Sequence, residues 1–232
     1  MRRALLAASA LCLAACGAPA DDSADASVDV DPCADLSDVA TRPDGRVVGG
    51  PFAARVVSFT PGVGASFGHD RMPDVVLGPP SGAGDLRGGT DVVALGRGGE
   101  VVVGFDVEIV DGPGDDFVVF ENPFIVPGAA LSYWDELGEV SVSEDGQRWV
   151  TFRGDPSAGR PFAGCAGGQP VYSAPGGTCP LDPRVSGGDA FDLATVGVAR
   201  ARFVRVRDLA TRPLMPPSSG FDLDAVAVLH GR

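Results

Sequence analysis

From Arg55 onward, hydrophobic and polar positions alternate in short runs, with turn residues roughly every eight to twelve positions. Val101, Val103 and Phe105 alternate with their neighbours, as do Val140 and Val142, and Val204 and Val206 alternate with Arg205 and Arg207. A period of two puts successive side chains on opposite faces of a strand. The pattern predicts strands over Arg55–Phe59, Asp91–Leu95, Glu100–Phe105, Asp116–Glu121, Glu139–Ser143, Arg148–Arg153, Arg200–Asp208 and Asp222–Leu229. Glu144-Asp145-Gly146-Gln147 joins two of these runs as a hairpin turn, because Asp-Gly tolerates the positive φ that such turns need. No comparable stretch shows a 3.6-residue period. The expected fold class is an all-β sandwich.

Before this pattern the chain reads differently. Arg2 and Arg3 precede an apolar run, Ala4 to Ala15, broken only by Ser9. The run is too short for a membrane-spanning helix, which needs about 20 residues, and it fits a signal peptide. Leu13-Ala14-Ala15-Cys16 resembles the lipobox of bacterial lipoproteins. That resemblance implies cleavage before Cys16, lipidation of its thiol and attachment to a membrane by three acyl chains. Residue 17 is glycine rather than aspartate, which favours the outer membrane. Residues 16–50 are expected to be an acidic, disordered tether, since Ala20 to Ser27 carries carboxylates without a periodic apolar face. The alternative is that Val28 to Ala40 packs on the domain. The organisation is then a leader over 1–15, a lipidated linker over 16–50 and a β-sandwich over 51–232.

Composition adds three constraints. Gly 33 and Pro 20 make about 23% of 232 residues, against a usual ~12%, while the hydrophobic share is 44%. That combination fits a core threaded by many tight turns. The formal charge is −13, and losing Arg2 and Arg3 with the leader makes it about −15. An acidic protein with no lysine is repelled by phosphate backbones, so nucleic acid is excluded as an expected partner. Among the cysteines, Cys12 leaves with the leader and Cys16 is the lipid site. Cys165 and Cys179 flank a Gly/Pro-rich loop, and the expected disulfide joins them, closing a loop worth about 3 kcal/mol in the chain-entropy treatment. Cys33 is left over, and its pairing with either of the others stays open.

Eight blocks in order carry a family likeness. They include Val76-Leu77-Gly78-Pro79-Pro80, Asp111-Gly112-Pro113-Gly114-Asp115-Asp116-Phe117, Val119-Phe120-Glu121-Asn122, Gly188-Asp189-Ala190-Phe191-Asp192-Leu193 and Gly220-Phe221-Asp222-Leu223-Asp224-Ala225-Val226. The series resembles a family of bacterial cell-surface domains similar to discoidin or galactose-binding jelly rolls. The resemblance implies a jelly-roll sandwich that binds a carbohydrate or other surface ligand through loops at one end, commonly with a structural calcium. No sugar-binding motif transfers residue by residue.

Several groups are candidates for chemistry. Asp111, Asp115, Asp116 and Glu121 bracket a Gly-Pro-Gly turn, and Asp222 and Asp224 share a face of the last predicted strand. Together they are the expected calcium ligands, because Ca²⁺ takes six to eight oxygens from carboxylates and loop carbonyls. They do not form an EF-hand, since Asp116 falls where that loop needs glycine. The structural alternative has Asp115 capping the turn, with Asp222 and Asp224 paired to arginines such as Arg205 or Arg207. Tyr133 and Trp134 are the expected ligand-stacking pair, with Tyr172 inside the expected disulfide loop as a further exposed aromatic, unless these rings simply pin their loops; Trp149 is expected in the core. Gly64-Ala65-Ser66-Phe67-Gly68 matches the G-x-S-x-G pattern, but no strand-to-helix alternation surrounds it and a loop is expected. No catalytic residue is assigned. The expected function is non-catalytic binding of a surface glycan or another envelope component. The alternatives are a structural or self-associating surface protein and, behind both, a carboxylate-based hydrolase.

Overall fold

The computed structural model describes residues 33, 36, 40–41, 47–128 and 132–232. The leader and Cys16 lie outside the described residues.

The chain is all-β and antiparallel. A short hairpin pairs β1 (Ala40–Thr41) with β2 (Val47–Val48). β3 (Arg55–Thr60), β4 (Val93–Ala94), β5 (Glu100–Val110) and β6 (Phe117–Phe120) follow. Next come β7 (Phe124–Ile125), β8 (Tyr133–Trp134), β9 (Gly138–Ser143), β10 (Val150–Thr151) and β11 (Cys165–Ala166). A single helical turn, α1 (Pro183–Ser186), precedes β12 (Asp189–Phe191), β13 (Arg200–Asp208), β14 (Asp222–Leu223) and β15 (Ala225–Val228). All eight predicted runs contain strand, though Asp91–Leu95 and Arg148–Arg153 shorten to two residues each.

The larger sheet runs β10-β9-β13-β5-β3, with β11 following β10 along the same edge of β9; the smaller runs β12-β6-β15. Their facing side chains make one core. Val101, Val103 and Phe105 from β5, Val140 and Val142 from β9 and Val204 and Val206 from β13 meet Phe117 and Val119 of β6 and Phe191 of β12. Phe117 stacks on Phe191 with ring centroids 5.2 Å apart, and Phe152 meets both rings edge-on. Alternation therefore decides the faces, as β-branched residues on a pleated surface favour. Arg207 is exposed, as the pattern requires.

The outer face of the smaller sheet is also covered, which alternation does not predict. Val118 and Phe120 point away from the main core into a second cluster with Phe52, Val171 and Ala227, against which Leu36 and Leu181 pack. This explains why Phe117–Phe120 reads as a continuous apolar run. Gly188 sits beneath that layer with φ at +78°, where a Cβ would come within 2.6 Å of the Phe120 ring.

The disulfide differs from expectation. Cys33 pairs with Cys179, and Cys165 is a buried free thiol at the start of β11. Strand pairing explains the change: Cys165 lies opposite Glu139 in the larger sheet, while Cys179 belongs to the loop that covers the smaller one. Cys33 and Leu36, which fall in the segment expected to be tether, are held on the domain by the disulfide and by packing against the second cluster.

Trp149 is a second correction. It is half-buried on the outer face of the larger sheet rather than in the core, with the Arg205 guanidinium 4.6 Å from its ring centroid.

Candidate functional site: two acidic clusters and an aromatic end

The six carboxylates expected to bind calcium do not meet at one point. They divide between the β5–β6 turn and the far end of β6.

At the turn, Asp111, Asp116 and Asp192 bring carboxylate oxygens within 4.8 Å of one another. Asp116 is fully buried and serves as a hub: its Oδ1 accepts from Gly112 N–H at 2.8 Å and engages His230 Nδ1 at 3.0 Å, and its Oδ2 accepts from Leu193 N–H at 2.7 Å. Asp192 caps the following 3₁₀ turn by accepting from Ala194 N–H at 2.8 Å. Asp115 is exposed; partial desolvation and the nearby Asp192 and Asp116 raise its pKa. The bonds here join the turn to the 192–196 segment, so Asp116, rather than Asp115, holds it.

At the other end of β6, four buried carboxylates surround residues 220–222. Glu121, Glu136, Asp208 and Asp222 are 2%, 4%, 4% and 8% exposed. Three consecutive backbone N–H groups each bond a different one of them. Gly220 donates to Glu136 Oε1 at 2.9 Å, Phe221 to Asp208 Oδ1 at 2.9 Å and Asp222 to Glu121 Oε1 at 3.4 Å. Asp208 Oδ2 also accepts from Gly98 and Ala210, and Ser218 donates its hydroxyl to Asp222. Glu121 Oε2 is buried with no hydrogen-bond partner.

Electrostatics in this cluster run one way. Burial first, and then the charges of Asp222 and Glu136, push the Glu121 carboxyl well above its ordinary range. Burial and Asp222 raise Glu136 to about 8, and burial with Asp208 nearby raises Asp222 to about 7. The charges acting most strongly on these three are other carboxylates. Asp224 stands apart, accepting from Ser81 N–H at 2.9 Å. Arg205, one of the arginines expected beside these residues, lies 3.8 Å from Glu100.

Above the buried cluster lies an aromatic end. Tyr133 and Trp134 form β8, paired with Ile125 and Phe124 of β7, rather than an irregular loop. Arg160 packs 3.8 Å from the Tyr133 ring centroid, and Arg212 lies 5.1 Å from that of Trp134. Both guanidiniums also pair with Asp135, and Arg212 donates to the Tyr133 and Asp135 carbonyls. Tyr172, 49% exposed, belongs to the same neighbourhood, since Asp85, Tyr133 and Arg160 all act on its hydroxyl. The Trp134 side chain hydrogen-bonds Glu136 and so ties the aromatic end to the acidic cluster beneath it.

Arg160, Arg212, Glu136 and Asp208 were not among the residues expected here. The one local signal was the Tyr133-Trp134-Asp135-Glu136 run, where two acids follow two aromatics inside an apolar loop. Ser66 sits in a loop whose backbone is docked on the Pro217 carbonyl at 2.8 Å. The His69 N–H donates to the Ser66 carbonyl at 3.3 Å, but among the described residues no side-chain hydrogen bond joins the Ser66 hydroxyl to the His69 ring, which contacts the Ala94 carbonyl, or to His230, which contacts Asp116. No protein-family model matches this sequence, and neither does any curated protein.

Proposed function

We propose that this protein is a non-catalytic binding module of jelly-roll type, held at the cell envelope by lipid on Cys16, that takes a surface glycan at its aromatic end. The observation that carries this reading is the convergence of Tyr133, Trp134 and Tyr172 with Arg160, Arg212 and Asp135. Sugars offer apolar ring faces that stack on aromatic rings and hydroxyls that pair with planar donors and carboxylates. Arg160 and Arg212 each cover one side of a ring and bond Asp135 or backbone carbonyls, which fixes ring orientation before a ligand arrives and lowers the ordering cost of binding.

The reading is non-catalytic because the four carboxylates beneath this end are buried and mostly engaged by backbone N–H groups. A glycosidase acid/base pair must instead reach the scissile bond. The negative charge argues against nucleic acid. A structural, self-associating role finds support in β3, a six-residue edge strand whose Val57 is 50% exposed.

A glycan array probed with the folded domain decides between them. Reproducible binding that Trp134→Ala and Tyr172→Ala both weaken supports the glycan reading. Silence on the array together with concentration-dependent sedimentation supports self-association. Labelling with a radioactive fatty acid, abolished by Cys16→Ser, supports the anchor.

A further inference from the structure

We propose that the sugar taken at the aromatic end is an acidic one, a uronate, whose carboxylate is held by the Nε–H and Nη2–H fork of Arg160. The inference rests on the glycan reading above and names the class of sugar that this end selects.

Arg160 and Arg212 both lie on aromatic rings and both pair with Asp135, yet they use their donors differently. A guanidinium carries five N–H donors in one plane. Arg212 donates from Nε to the Asp135 carbonyl at 2.8 Å and from Nη2 to the Tyr133 carbonyl at 2.7 Å. Those bonds hold the backbone of β8, and they account for Arg212 without any ligand. Arg160 bonds the Asp135 carboxylate through Nη1. Among the described residues its Nε–H and Nη2–H meet no acceptor, and 28% of the side chain stays in water. Stacking 3.8 Å from the Tyr133 ring centroid fixes the plane of the guanidinium without using an N–H. The open edge is therefore set in place before a ligand arrives.

That edge selects a carboxylate. Nε–H and Nη2–H run parallel and match the two oxygens of a planar carboxylate, in bonds about twice as strong as those to a neutral acceptor. A sugar hydroxyl presents one oxygen and no charge. The acids of the protein are engaged elsewhere. Asp135 is shared with Arg212, and Asp85 acts on the Tyr172 hydroxyl. Asp189, whose carboxyl feels Arg160, accepts from Gly167 and Gly168 N–H at 2.7 and 3.0 Å. Glu136, raised to about 8 by burial and Asp222, is mostly protonated at neutral pH. Tyr172 is 49% exposed and feels the Arg160 charge, so its ring offers a stacking face near the fork. The chain's charge of −13 repels dense polyanions, so the ligand that fits is a glycan with isolated uronates rather than a polyuronate.

The test is calorimetric titration of the full chain, in about 150 mM salt, with trisaccharides that carry a single glucuronate or galacturonate. Each is compared with its methyl ester, which keeps the sugar and removes the charge, and with its neutral hexose counterpart. The acid is expected to bind about 10- to 100-fold more tightly than the ester, the loss that follows when charge-assisted bonds go. Arg160→Gln should bring that ratio close to one, with a thermal melt alongside to show that the variant is folded. Should it fail to fold, the wild-type ratio decides by itself. An acid that binds no better than its ester, or a ratio that Arg160→Gln leaves unchanged, overturns the inference. Neutral trisaccharides that bind where the acids do not overturn it too, while leaving the glycan reading in place. If neither acidic nor neutral sugars bind and the glycan array is silent, both readings fall.

Discussion

Cys33 and Cys179 are joined across 146 residues of chain, with 5.8 Å between their Cα atoms. The bond staples the segment containing Leu36 and the loop containing Val171 and Leu181 over the outer face of β12-β6-β15. A loop that long gives up to about 5 kcal/mol in the chain-entropy treatment, against about 3 kcal/mol for the shorter loop between Cys165 and Cys179. Urea unfolding of Cys179→Ser should show a loss of several kcal/mol, and non-reducing peptide mapping should recover the Cys33 and Cys179 peptides together. Cys165 should alkylate only after unfolding. A linked Cys165 peptide would contradict this pairing.

Asp116→Ala removes the acceptor shared by Gly112 N–H, Leu193 N–H and His230 at a fully buried position. Each donor stranded out of water costs about 1–3 kcal/mol. The expected destabilisation is about 3–5 kcal/mol by urea titration, with Asp116→Asn milder because one acceptor oxygen remains. A loss below about 1 kcal/mol for the alanine variant would mean that the turn and the 192–196 segment are not held by this carboxylate.

Asp189 gives the fold a pH dependence. Burial raises its carboxyl from 3.8 to about 7, outweighing the backbone N–H groups of Gly168, Gly167 and Gln169. Between those two values the folded chain holds a proton that the unfolded chain has released. Stability therefore falls as pH rises across that window. Its contribution is complete below about pH 4 and is lost as pH passes about 7. In Asp189→Asn the amide oxygen can take the same donors without titrating. The difference between wild-type and variant unfolding free energies, measured from pH 4 to 8, should slope downward; a flat difference would falsify the assignment.

Gly188→Ala tests the second layer. Its φ is +78°, and the added methyl would lie 2.6 Å from the Phe120 ring and 2.8 Å from Val118. Backbone strain and overpacking together should cost about 2 kcal/mol or more. Thermal melts of the two proteins side by side check this.

Strand positions, the Asp145-Gly146 hairpin and the inward faces of β5, β9 and β13 were legible because alternation is local: each residue's face follows from its neighbours. Gly146 has the positive φ that the turn required, and Asp145 accepts from Gln147 and Arg148 N–H groups. The acidic residues were legible only as a list. Asp111 and Asp222 look alike in composition, yet one is exposed in a turn and the other buried beside Glu121.

The amino-acid order by itself determined the all-β class, the strands and their buried sides, since a period of two and Gly/Pro turns act over a few residues. Tertiary structure alone decided which cysteine Cys179 joins, that Leu36 covers the smaller sheet and that Trp149 lies outside the core under Arg205. It also decided that Glu136 and Asp208 stand with Glu121 and Asp222. Each of those outcomes depends on strands distant in sequence meeting in a particular order, and burial, which turns a carboxylate from a solvated surface group into an unbalanced internal charge, exists only once they have met.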